Sequence, residues 1–195
     1  MSEEKALALG MVVEDRYRLI SEESPQDLGM AYTAYDLQED RLVDLLVVDT
    51  HWGSGQEALN RLRRVEQAVT SLSAPGLIPD EHAGLVDEQV YLVRPHIEGQ
   101  TLADLLARDG PLDADTAVYI AIQLCEALAP AHHAGLIHGS LSPHCVVLNE
   151  TAVADDPSAA ETLVLDTGLL PALRPTDSST HEPWGRLPYI SPEQA

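Results

Sequence analysis

Between residues 43 and 72 the spacing of apolar side chains changes from every second position to every third or fourth, and that change dictates a strand followed by a helix. In Val43 to Val48 the alternation puts Val43, Leu45 and Val47 on one face and Asp44, Leu46 and Val48 on the other. From Gln56 to Leu72 the residues Leu59, Leu62, Val65, Val69 and Leu72 line one side, while Arg61, Arg63, Arg64 and Glu66 take the remaining surface. Proline and glycine in Ser73-Ala74-Pro75-Gly76 end that helix. Two β-like runs come earlier, Tyr17-Arg18-Leu19-Ile20 and Ala31 to Asp36, separated by the turn-forming Ser24-Pro25. The first part of the chain is therefore expected to form a small antiparallel sheet carrying one helix.

The second part reads as mostly helical. Val90 to Arg94 predicts one more strand, and Leu102 to Arg108 a short helix closed by Gly110-Pro111. A longer helix is expected from Asp115 to Ala134, with Val118, Ile122, Cys125 and Leu128 as its apolar stripe, Pro130 kinking or fraying the last turn, and Gly135 as the stop. Val146-Val147-Leu148 and Leu163-Val164-Leu165 are expected to pair as a hairpin. The fold class is α+β.

At 195 residues with 45% hydrophobic composition the chain can bury a core. Eleven Lys and Arg against 32 Asp and Glu leave a net charge of −21, which repels nucleic acid and anionic lipid and opposes ATP at long range. Apolar runs such as Leu45 to Val48 fall far short of the roughly 20 residues that a membrane span requires. The start, Met1-Ser2-Glu3-Glu4, is acidic rather than signal-like. Neither nucleic acid binding nor membrane insertion by this segment is expected. Cys125 and Cys145 are too few for a disulfide framework or a Cys-rich zinc site, so a reducing cytoplasm is the expected location.

The segment from Gly135 to Leu148, with His138-Gly139-Ser140-Leu141-Ser142 at its centre, resembles the catalytic loop of a protein kinase, H-R-D-L-x-x-x-N. Gly185 to Ala195 is similar to the end of a bacterial Ser/Thr kinase activation segment, Leu165-Asp166-Thr167-Gly168 to the D-F-G element, and Ile97 to Leu102 to the stretch after the hinge. The resemblance implies a two-lobed kinase-like fold: a lead at 1–16, an antiparallel sheet lobe with one helix at 17–95, and an incomplete, mostly helical lobe at 96–195 that stops at the activation segment. With no further helices after Ala195, the sequence is expected to be a fragment, or to be covered by a partner or by self-association.

The departures from that pattern carry the functional expectation. Ser140 stands at the catalytic Asp, Ser142 at the phosphate-steadying Lys and Cys145 at the metal-binding Asn. Serine is no base near neutral pH, and a neutral thiol is a poor magnesium ligand. The glycine-rich phosphate loop reads Ser24-Pro25-Gln26-Asp27-Leu28-Gly29, keeping only its last glycine. Leu46 replaces the lysine that grips ATP, and Val65 the helix glutamate that pairs with it, an apolar refilling of both halves of an ion pair. Neighbouring Glu66 lies about 100° round the helix. In the hinge region, at Arg94 and His96, the Arg94 side chain either seals the adenine space or lies over apolar neighbours at the surface. Asp166 alone of the chemical residues is kept, as a turn aspartate or a residual ATP/magnesium position.

These substitutions predict a pseudokinase that binds protein, with an active Ser/Thr kinase or a phosphopeptide-binding domain as partner, no cofactor, and ATP/Mg at most weakly. Thr176, Ser178, Ser179 and Thr180 are candidate phosphate acceptors. A weakly active or ATP-binding kinase is the main alternative. An aspartic-protease-like reading of Asp166-Thr167-Gly168 is a minor one, and it lacks the long β-rich segment that such a protease requires. His132, His133, His138 and His144 show no H-E-x-x-H spacing and no cysteine partner for a metal site.

Overall fold

The structure, a computed structural model, describes residues 7–23, 26, 28–149, 161–173 and 189. Ser24, the candidate phosphate acceptors Thr176, Ser178, Ser179 and Thr180, and the activation-segment resemblance apart from Tyr189 lie outside those residues. The chain forms two compact units, one containing Met1–Glu66 and Asp80–His96, the other Gln67–Pro79 and Ile97–Pro171.

The first unit is a six-stranded antiparallel sheet in the order β1-β2-β3-β4-β6-β5, built from β1 (Val12–Val13), β2 (Tyr17–Glu22), β3 (Gly29–Asp36), β4 (Arg41–Val48), β5 (His82–Val86) and β6 (Gln89–Pro95). The alternation predicted in β4 holds. Val43, Leu45 and Val47 join Tyr17, Tyr32 and Tyr91 in one buried cluster. On the opposite face Leu46 lies between Ala31 and Leu92, and Asp44 between Thr33 and Arg94. Strands β1 and β5 were not expected. β1 is two residues long, and β5 contains Ala83-Gly84 rather than a β-branched run; Gly84 pairs with Tyr91.

Helix α1 (Gly55–Thr70) buries Ala58, Leu59, Leu62 and Val69, spaced as an amphipathic helix requires. Two polar bonds attach it to the sheet edge. Arg63 Nη2 donates to the Ala83 carbonyl at 2.7 Å, and the Gly55 amide to the Glu88 carbonyl at 2.9 Å.

Asp36, fully buried at the end of β3, accepts from Arg16 Nε and Nη2 and from the amides of Gln38 and Glu39. The Arg16 guanidinium holds its carboxyl down at about 2. Because the folded value lies below the unfolded one of about 3.9, this stabilisation is full above pH 4 and is lost as pH falls toward 2. The expected loss is about 2 kcal/mol. Urea midpoints of the wild type and Asp36→Asn should therefore converge as pH drops from 5 to 2.

The second unit holds a three-stranded sheet in the order β7-β8-β9, from β7 (Gly99–Thr101), β8 (Val146–Asn149) and β9 (Glu161–Val164). The expected hairpin is present with Val146 opposite Val164, and β7 adds an unforeseen third strand. The free edge of β9 is closed by the Ile78 amide donating to Val164, the Val164 amide donating to Gly76, and the Thr162 amide donating to Gln123 Oε1. Helix α2 (Leu102–Asp109) starts at Thr101, whose hydroxyl accepts from the Asp104 amide. Helix α3 (Ala114–His133) starts at Asp113, which accepts from the amides of Asp115 and Thr116. Helix α4 (Leu169–Leu173) is a single short turn.

The stripe assigned to α3 is corrected. Thr116, Ile120, Ala127, Leu128 and Ala131 are its buried residues, whereas Val118, Ile122 and Cys125 face solvent. Helix α3 is apolar around most of its circumference, so periodicity alone does not select the buried side. The helix also runs through Pro130 to His133, ending before Gly135 at φ 78°.

Candidate functional site

In the first unit two of the phosphate-loop positions, Gln26 and Gly29, are bridged through their backbones. The Gln26 amide donates to the Gly29 carbonyl at 2.8 Å, and the Gly29 amide to the Gln26 carbonyl at 3.3 Å. These two N–H groups of the loop are engaged with backbone carbonyls. Gly29 is kept for a different reason. A Cβ there would overlap the Val47 carbonyl oxygen across the β3–β4 ladder, so the residue is required by strand packing.

Leu46 is among the most deeply buried side chains of the chain. Val65, at the paired position on α1, is half-buried, and so is Glu66. Burial pushes the Glu66 carboxyl upward, an effect that His82 and Arg63 oppose.

Arg94 is buried beside a carboxylate. Its side chain is 3% exposed, and Nε lies 3.2 Å from Oδ1 of Asp80, itself 7% exposed. The surface placement is thereby overturned. A carboxylate just ahead of β5 draws the guanidinium into the unit, because a buried charge requires a partner. On the same sheet face Asp44 Oδ1 lies 2.6 Å from His96 Nδ1, tying β4 to the residue that follows β6. The pairing of Asp80 with Arg94 escaped sequence reasoning, since no spacing rule connects them.

In the second unit the loop residues come together. His138 is buried. Its Nε2–H donates to the Leu165 carbonyl at 2.8 Å, and its Nδ1 accepts from the Ser140 amide at 3.3 Å, which defines a neutral imidazole. Burial is the main cause lowering its pKa, against the pull of Asp166. The neutral ring ties the loop to the residues before Asp166, so its contribution is full above the unfolded value of about 6.5 and lost as pH falls below it. Chemical-denaturation midpoints are expected to drop between pH 7 and pH 5, and His138→Asn to flatten that slope.

Cys145 is buried, and its thiol serves the loop backbone. Sγ accepts from the Ser142 amide at 3.2 Å and lies 3.1 Å from the Ser142 carbonyl, within a capping box that closes the short 3₁₀ turn Pro143–Cys145. Cys145 thus closes this turn of the loop. Ser142 is buried as well. Asp166, at φ 60°, is half-buried, with the amide of Leu169 bonded to its carbonyl.

One substitution passed unnoticed in the sequence. Gly139 stands at the arginine of H-R-D, at φ 84°, and a Cβ there would overlap Pro171. The comparison of His138-Gly139-Ser140 with H-R-D was enough to find it.

Among the described residues no group of three or more His, Cys, Asp or Glu is arranged to hold a metal. A magnesium ion does not fit the loop as built. Asp166 supplies one oxygen-bearing side chain, while the position that should supply a second carries a buried thiol turned toward the backbone.

No family profile matches the chain. Curated relatives are bacterial Ser/Thr protein kinases. The probable serine/threonine-protein kinase PknB of Lactococcus lactis is 30% identical over 191 residues, 97% of this chain and 29% of that protein. PrkC of Bacillus subtilis is 27% identical over 190 residues, 97% of this chain and 28% of its own length. PknL of Mycobacterium tuberculosis is 29% identical over 184 residues, 94% and 44%. The chain thus spans less than half of each of these relatives. Among solved structures, the PknI kinase domain of M. tuberculosis superposes with a TM-score of 0.67 at 22% identity, over 85% of this chain and 64% of that one. The fold is therefore that of a kinase domain, and the Asp-Thr-Gly match to aspartic proteases is a local one. The chain is a protein-kinase-like domain related to the bacterial Ser/Thr protein kinases.

Proposed function

We propose that this domain is a pseudokinase, a catalytically inactive protein-binding or regulatory module in Ser/Thr kinase signalling. The observation that carries the reading is the burial of Leu46 at the position of the ATP-gripping lysine. Apolar packing has taken the place of a cation that phosphates require. Three further features support it. Ser140 offers no general base, worth about 10² to 10⁴ in rate; the Gln26 and Gly29 amides each donate to the other's carbonyl; and the Cys145 thiol serves the loop. The losses will not multiply, because such residues act as a unit.

The proposed partner is a protein, either an active Ser/Thr kinase or a phosphopeptide-binding domain, and the proposed setting is the cytoplasm. No cofactor is needed for that role. Retention of Asp166 favours, as a second reading, weak nucleotide binding without turnover. A radiolabelled phosphotransfer assay with a general acceptor protein, together with a thermal-shift titration of Mg-ATP, tests both. Background-level transfer is expected. Turnover abolished by Asp166→Ala would overturn the proposal.

A further inference from the structure

Resting on the protein-binding reading, we infer that the solvent side of β2, β3 and β4 around Arg18 is a docking surface for a partner segment that sets a carboxylate between apolar side chains. All three strands lie in the first unit. Their register puts Val12, Arg18, Tyr35 and Leu42 side by side across β1 to β4, a row about 14 Å wide at 4.8 Å per strand. Leu42 is 43% exposed, and Ile20, two residues after Arg18, is 47% exposed. Leu19 between them is buried, so Arg18 and Ile20 stand on the same side. Val12 and Tyr35 are half-buried. The row thus presents apolar side chains around an exposed guanidinium.

Charge selects the occupant. The carboxylates bordering the row are engaged: Glu23 Oε1 accepts from the Ser21 and Thr33 hydroxyls, Asp40 from the Tyr35 hydroxyl, Asp44 lies against His96, and Glu39 bridges Arg16 and Arg41. Glu22 is opposite Tyr32, which belongs to the buried cluster of the other side. Among the described residues Arg18 has no side-chain hydrogen bond or ion pair. A planar carboxylate accepts two parallel N–H groups from a guanidinium, and apolar neighbours that exclude water strengthen the pair. Arg18 and Ile20 are about 7 Å apart along β2, the spacing of alternate side chains in an extended peptide. The net charge of −21 opposes an acidic segment at long range, so affinity depends on the apolar contacts as much as on Arg18. A second copy would set Arg18 against Arg18 across a two-fold contact.

The test titrates the whole 195-residue chain into fluorescein-labelled ten-residue peptides and reads anisotropy. One peptide has a Leu-Ser-Glu-Ser-Leu core; in three others Gln, Lys or phosphoserine replaces the Glu. Saturable binding is expected with the first, at least tenfold weaker binding with the Gln and Lys peptides, and no tighter binding with phosphoserine. Arg18→Gln should lose tenfold, and Ile20→Thr and Leu42→Thr several-fold each. In Arg18→Glu the preference should reverse, the Lys peptide binding better than the Glu peptide. Arg108→Gln, on the second unit, should change nothing. Arg18→Ala repeats the measurement should Arg18→Gln lose near-ultraviolet circular dichroism.

Equal binding of the Gln peptide, or binding unaffected by both Arg18 variants, would sink the inference. Tenfold tighter binding of the phosphoserine peptide would assign the face to a phosphorylated segment instead. Light scattering that shows a dimer dispersed by Leu42→Asp would assign it to a second copy. Phosphotransfer is read separately, so activity would defeat the pseudokinase reading while leaving the docking result legible.

Discussion

Replacing Leu46 by lysine is expected to destabilise the first unit by about 3 to 5 kcal/mol in urea titration, without producing nucleotide binding. The side chain is fully buried, between Ala31 and Leu92 on its sheet face. An ammonium placed there either stays charged without a partner or gives up its proton at a cost in pKa. Leu46→Met should stay within about 1.5 kcal/mol, since volume and polarity are preserved. Adding Val65→Glu to Leu46→Lys should return part of the loss by restoring the opposite charge on α1. A stable Leu46→Lys variant that binds Mg-ATP in a thermal-shift assay would mean that the lysine position still opens to a nucleotide, and the burial of Leu46 would no longer carry the pseudokinase reading.

Gly29→Ala is expected to cost about 3 kcal/mol, at the upper end of what overpacking causes. The added methyl would overlap the Val47 carbonyl oxygen, and backbone in the centre of a sheet yields little. Gly10 is the control. It has φ 83° but nothing near its missing Cβ, so Gly10→Ala should cost only the 1 to 2 kcal/mol, roughly, of left-handed strain. Differential scanning calorimetry of both variants separates the effects. A Gly29→Ala protein as stable as Gly10→Ala would show that the glycine is not needed by the ladder, and would return it to a phosphate-binding role.

Where side chains repeat with a regular period, the fold was legible. β4 and α1 have unambiguous periods of two and of three to four, and the structure places Val43, Leu45, Leu59 and Leu62 inside as those periods require. β5 and β7 were not legible, because Ala83-Gly84 and Gly99-Gln100 become strand only through their neighbours: Gly84 accommodates the Tyr91 ring, and Gly99 lies against Leu148. For α3 the period carried too little contrast. Its buried side is decided by where β9 and Leu77 lie, which no local window contains.

The candidate site divides in the same way. Positions defined by a loop motif, such as His138, Ser140 and Cys145, were identified by order along the chain. Their bonding was not, because the direction of the Cys145 thiol depends on the turn that closes around it. Arg94 needed Asp80, a partner supplied by the segment ahead of β5 and by no spacing rule.

The bond from Arg63 to the Ala83 carbonyl has a consequence for how α1 is held. It fastens α1 to the edge of its sheet through groups indifferent to adenylate concentration. On the proposed pseudokinase reading, a helix anchored in that manner keeps one pose with or without nucleotide, and offers a constant template rather than a switch. Amide hydrogen exchange across α1 should accordingly be unchanged by millimolar ATP and quickened by Arg63→Ala.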